Sequence, residues 1–154
     1  MNLKSIPSQL NDILAKIGGW LQSPMLLLIR LYWGCNFFLT GRGKLSDLSR
    51  PTAFFAQLHI PHPHVNAIIV GSTECFGGLL LLAGLFSRFI TPIFIFQMII
   101  AYVTADREAV HAIFSNPDKF TSADPFLFLY ASVLIFVFGP GCVSLDALIF
   151  RKKA

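Results

Sequence analysis

Two charged residues stand inside long apolar stretches of this chain, and they carry its clearest potential for chemistry. Arg30 lies within the run 21–40 and Glu74 within the run 65–86, each the only charged side chain there. A charge at the centre of a bilayer costs about 2.5–3.5 kcal/mol on insertion scales, so such residues face a protein interior and take a partner. One arginine and one glutamate on adjacent segments predict an intramembrane ion pair. Gly71 and Gly78 flank Glu74 at i−3 and i+4, and Gly34 follows Arg30 at i+4. Small residues beside a polar group permit the close helix packing that lipid requires. Such a pair can fix the register of two helices, or line a polar pocket for a headgroup, a quinone or a proton. The two roles are compatible.

Other polar residues can join that pocket. Gln97, Ala101 and Thr104 share one helical face, where helix–helix contact is the plainer use. Tyr32 and Trp33 beside Arg30 can stack on a ring-shaped ligand or pack on other aromatics. His59, His62 and His64 form a HIPHPH stretch that invites copper or zinc, but alternating prolines suggest an extended, exposed loop. A haem held inside the membrane needs histidines within spans, and all four histidines here fall in loops or at span edges. No dinucleotide fingerprint is present, because Gly77-Gly78 runs straight into leucines. Three cysteines without CxxC spacing argue against a disulfide framework or a zinc site.

The elements that must position these groups are apolar helices. Of 154 residues, 55% are hydrophobic and 13% charged, where a soluble domain carries about a quarter charged. Four spans are expected, at 21–40, 65–86, 89–104 and 126–138, the last opened by Asp124 as cap and Pro125 at its first position. That last span is short and stops at Gly139-Pro140-Gly141. A small interfacial helix capped by Ser144, with Asp146 in its first turn, should follow. Residues 41–64 and 105–123 form two large loops on the face opposite the termini. Leu10, Ile13, Leu14, Ile17 and Leu21 recur at helical spacing, which predicts an amphipathic helix lying on the membrane with Trp20 as its anchor. No cleavable signal peptide is expected. The net charge of +4 is dispersed, which excludes a nucleic-acid-binding face. Lys4, Lys16, Arg88, Arg151, Lys152 and Lys153 fall on the termini side, against Arg42, Lys44, Arg50, Arg107 and Lys119 opposite. The positive-inside rule then places both termini in the cytoplasm by a narrow margin.

Taken in order, these motifs resemble the DoxX family of small four-helix membrane proteins. The first span, LIRLYWGCNFFLTGRGKL, is similar to the family's arginine-led helix through Arg30, Gly34, Gly41 and Lys44. The second, STECFGGLLLLAGLFSR, matches its glutamate, glycines and arginine at Glu74, Gly77, Gly78, Gly84 and Arg88. The resemblance implies an all-α, four-helix transmembrane bundle at 21–150, after the amphipathic segment 1–20 and before a basic tail at 151–154. It also implies a bacterial inner-membrane subunit of a quinone-linked oxidoreductase or redox-stress system. Electron carriers would sit on partner proteins, no cofactor would be intrinsic, and quinone is the candidate ligand. The alternative is a non-enzymatic binding, transport or assembly module for a small molecule, a metal-related peptide or a partner protein. On either reading the expected site is Arg30 with Glu74, lined by Tyr32, Trp33, Gly34, Lys44, Gly71, Gly78 and Gln97.

Overall fold

Helix α1, Ser5–Ser46, is one element of 42 residues, about 63 Å long at 1.5 Å per residue. The computed structural model describes residues 5–150, with side chains described from residue 8. The tail at 151–154 and the first four residues lie outside the described residues. From Ser5 the helix runs without a break into the expected first span. Pro24 removes the bond to the Trp20 carbonyl, but it lies inside the helix, where flanking Leu and Met turns carry the element through. The stripe Leu10, Ile13, Leu14, Ile17, Trp20 and Leu21 is fully outside the protein interior, with Trp20 84% exposed.

Helix α2 (Ser49–Gln57) is followed by α3 (Pro63–Ala83) and α4 (Ser87–Thr104). Both α3 and α4 are long and apolar enough to cross a membrane. Gly84 ends α3 in the left-handed region at φ +66°, and the Leu85 N–H closes back on the Leu80 carbonyl at 2.9 Å, a Schellman ending that glycine permits. The sequence placed this turn at Ser87-Arg88; it lies at 84–86, and both of those residues belong to α4. Short helices α5 (Arg107–His111) and α6 (Pro117–Thr121) lead to α7 (Pro125–Phe138) and α8 (Leu145–Phe150). The described residues contain no strand. Helix α7 has 14 residues, about 21 Å, less than a hydrocarbon core of about 30 Å. Proline opens it as expected, while Asp124 makes no side-chain cap.

Glycine sets the closest helix contact. A methyl group at Gly34 would lie 3.0 Å from the Leu82 nitrogen, one at Gly78 would lie 2.5 Å from the Phe38 nitrogen, and one at Gly41 would collide with the Cys75 backbone. Leu45 in turn packs on Gly71. Facing positions therefore fall by one on α3 for each residue gained on α1, an antiparallel register pinned by two glycines per helix. We expect Gly41→Ala to destabilise the fold by about 1–3 kcal/mol, the range for overpacking. Gly43→Ala is the matched control, since nothing lies within 4 Å of that position. Thermal unfolding in detergent should separate the two variants, and equal melting would refute the tight α1–α3 contact.

Helices α4 and α7 form the second extensive contact. Phe37, Leu81, Phe94, Met98 and Ile135 meet in a core drawn from α1, α3, α4 and α7. Phe37 stacks face to face on Phe94 with ring centroids 3.8 Å apart and planes 5° from parallel. The two regions expected as loops are partly helical, because α1 runs on to Ser46 and α2, α5 and α6 fill much of the rest.

Candidate functional site

Glu74 lies about 17 Å from the start of α3 and is only 3% exposed. Its carboxylate accepts hydrogen bonds from the Lys44 ammonium at 2.6 and 2.5 Å and from the Gln97 amide at 2.5 Å. Three helices thus supply one polar cluster: Lys44 from α1, Glu74 from α3 and Gln97 from α4. Desolvation makes a buried carboxylate costly unless charge and donors surround it, and this one has both.

Arg30 is not the partner of Glu74, which corrects the expected pair. In the α1–α3 register the two positions are about twelve residues out of step, or roughly 18 Å along the helices. The arginine instead reaches the opposite end of the molecule. Its guanidinium donates to the carbonyls of Pro140 at 2.6 Å, Val143 at 3.0 Å and Leu82 at 3.5 Å, and it is 2% exposed. Gly84 packs directly against it, leaving no room for a side chain there. Asp146 adds favourable charge nearby while accepting from the backbone N–H groups of Phe86 at 2.8 Å and Ser87 at 3.0 Å. One residue of α8 therefore caps the start of α4. Ser144 caps α8 as expected, accepting from the Ala147 N–H at 3.1 Å.

The Lys44–Glu74–Gln97 cluster opens into a cavity of about 750 Å³, well inside the range of small-molecule sites. Phe37, Phe54, Phe55 and Phe128 give it aromatic walls, and Thr40, Ala101 and Thr104 extend the lining. Asp47, Arg50, Asp106 and Asp124 stand at the end where α1 and α4 finish and α7 begins. Asp47 accepts from the Ser49 hydroxyl and the Ser49 N–H, and these bonds hold its carboxyl below the ordinary range. It stays ionised.

Of the residues expected to line the site, the structure brings Lys44 and Gln97 to Glu74. Gly34, Gly71 and Gly78 belong to the α1–α3 contact instead. Trp33 packs edge-on against Phe128 at 4.8 Å, and Tyr32 is exposed on the outer face of α1; neither lines this cavity. His59 and His62 sit in the left-handed region, at φ 57° and 47°, so the stretch is a tight turn into α3 rather than an extended loop. His64 faces Thr52 at 3.4 Å. No group of three or more His, Cys, Asp or Glu side chains able to hold a metal ion occurs among the described residues. The cavity walls from α2 were not recognised in the sequence. Their signal was Phe54-Phe55 in a stretch following Asp47, whose carboxylate accepts from the Ser49 N–H at the start of α2.

A second opening of about 550 Å³ lies at the other end, between Gln22 and Ser23 of α1, Arg88 of α4 and Gly139-Pro140-Gly141. The DoxX family model matches residues 25–107, a segment that holds Arg30, Lys44, Glu74 and Gln97. The chain belongs to the DoxX family. This family is membrane-associated and linked to oxidoreductase systems. A Bacillus subtilis (strain 168) protein named "Putative oxidoreductase CatD" is 26% identical to this DoxX protein over 127 residues, covering 82% of this chain and 88% of the relative. No solved structure matches.

Proposed function

We propose that this DoxX protein is a four-span subunit of an oxidoreductase system in the bacterial inner membrane, and that its cavity binds a quinone headgroup. The observation that carries this reading is the Lys44–Glu74–Gln97 cluster at the closed end of an aromatic-walled cavity. A quinone carbonyl would accept from the Lys44 ammonium or the Gln97 amide. Glu74 would hold those donors in place and exchange the proton that accompanies reduction. The phenylalanine walls suit a planar ring and an apolar tail. Spans α1 and α7 complete the bundle begun by α3 and α4, with both termini cytoplasmic. Electron-carrying centres would reside on partner proteins.

The test is retention of quinone. Wild-type protein purified in mild detergent should yield extractable quinone at near one per chain, and Glu74→Gln should retain at least tenfold less while melting within a few degrees of wild type. Equal retention in the folded variant, or none in wild type reconstituted with excess quinone, overturns the reading.

A further inference from the structure

We propose that Glu74 exchanges protons with water only on the face bearing α2, α5 and α6, opposite the termini. This deepens the reading of the cavity as a quinone site, on which it rests for its purpose but not for its geometry.

The cavity occupies one half of the protein. Its lining comes from the end of α1, from α2, from the first half of α3, the last half of α4 and the first turn of α7. Every one of those segments lies toward the same face. The charged and titratable groups on the cavity are Lys44 and Asp47 from the α1 end, Arg50 from α2, Asp106 after α4 and Asp124 before α7. They form a polar rim from which water reaches the carboxylate.

The other direction is shut. Between Glu74 and the level of Arg30, Phe37, Leu81, Phe94 and Ile135 are at most 1% exposed, and the Phe37–Phe94 stack fills the centre. The hydroxyls nearest the core are tied within their own helices. Among the described residues the one buried hydroxyl without a partner, Ser87 at the start of α4, lies beyond the Phe37–Phe94 stack from Glu74. Thr91 donates to the Ser87 carbonyl at 2.8 Å and Ser132 to the Phe128 carbonyl at 2.7 Å, each within its own helix. Beyond them the Arg30 guanidinium is tied to three carbonyls. A protein interior this closely packed holds no continuous water row. Protons for any reaction at Glu74 must therefore arrive through the rim.

The experiment uses full-length protein in sealed liposomes, with dicyclohexylcarbodiimide as probe, since it modifies a protonated carboxyl in an apolar site. Orientation is fixed with an impermeant maleimide, using native Cys142 as the termini-face reporter and Asp118→Cys as the opposite one. Modification of Glu74, located by peptide mass spectrometry with Glu74→Gln as the blank, is timed while pH is changed on one side alone. We expect the rate to rise several-fold on acidification of the α2 face and to ignore the termini face. A rate that follows the termini face, both faces or neither overturns the proposal. Adding a short-chain quinone separates the two readings: protection supports the quinone site, and its absence counts against that site alone, leaving the sidedness result standing.

Discussion

Replacing Arg30 by methionine should cost this protein about 2–6 kcal/mol, the largest single effect expected for any residue outside the cavity. The estimate follows from the acceptors left behind. The carbonyls of Pro140 and Val143 receive partly buried bonds from the guanidinium, and a hydrogen bond involving a charged group contributes about 1–3 kcal/mol. Leu82, at 3.5 Å, adds little. Against a total stability of about 5–15 kcal/mol, the variant should melt far below wild type or fail to accumulate. Arg30→Lys is the informative companion. A single ammonium cannot span acceptors as a planar fork does, so it should recover part of the loss and not all of it. Thermal unfolding in detergent, with yield of monodisperse protein, reads both. Melting of Arg30→Met within a degree of wild type would falsify the clasp.

Much of the helical layout was legible because its signals are local. Apolar runs of sufficient length, proline at the start of α7, and Gly-Pro-Gly after Phe138 each state a boundary without reference to the rest of the chain. The α8 cap at Ser144 belongs to the same class. Register between helices does not. Choosing Arg30 as the partner of Glu74 required knowing how far α1 extends. Ending it at residue 40 made Arg30 look central and left Lys44 in a loop. Four glycines determine the register, and once Gly34 is set against Leu82 and Gly41 against Cys75, Lys44 is the cation that reaches Glu74. Opposite charges in a sequence announce that partners exist, and backbone contact decides which they are. Gln97 was legible for a different reason, since i, i+4, i+7 spacing on α4 is again a local signal. The cavity rim was not, because Asp47, Asp106 and Asp124 come together only when three helix ends are stacked.

The two members of the Lys44–Glu74 pair should differ sharply in what their loss costs. Glu74 is buried, with 4% of its side chain accessible, while 31% of the Lys44 side chain is accessible. Lys44→Met strands a desolvated carboxylate with Gln97 as its remaining donor, and breaking a buried pair from one side costs about 3–5 kcal/mol. Glu74→Gln strands an ammonium that can swing toward the rim and water. The glutamine oxygen still accepts from Gln97 or Lys44, so that variant should lose only about 1 kcal/mol, in the range of a single hydrogen bond. The double variant Lys44→Met/Glu74→Met removes both charges and should be more stable than Lys44→Met alone, because apolar replacements of a buried pair are often neutral. A double-mutant cycle with Lys44→Met, Glu74→Met and the double, read by thermal unfolding, isolates the coupling, for which we expect at least about 1.5 kcal/mol; additivity within about 0.5 kcal/mol would remove the pair as a structural unit. The same asymmetry gives the site its experimental handle. Because Glu74→Gln preserves the fold while abolishing a titratable group, any loss of quinone retention or of carbodiimide reaction in that variant belongs to the carboxylate itself, whereas a loss in Lys44→Met would be confounded by instability.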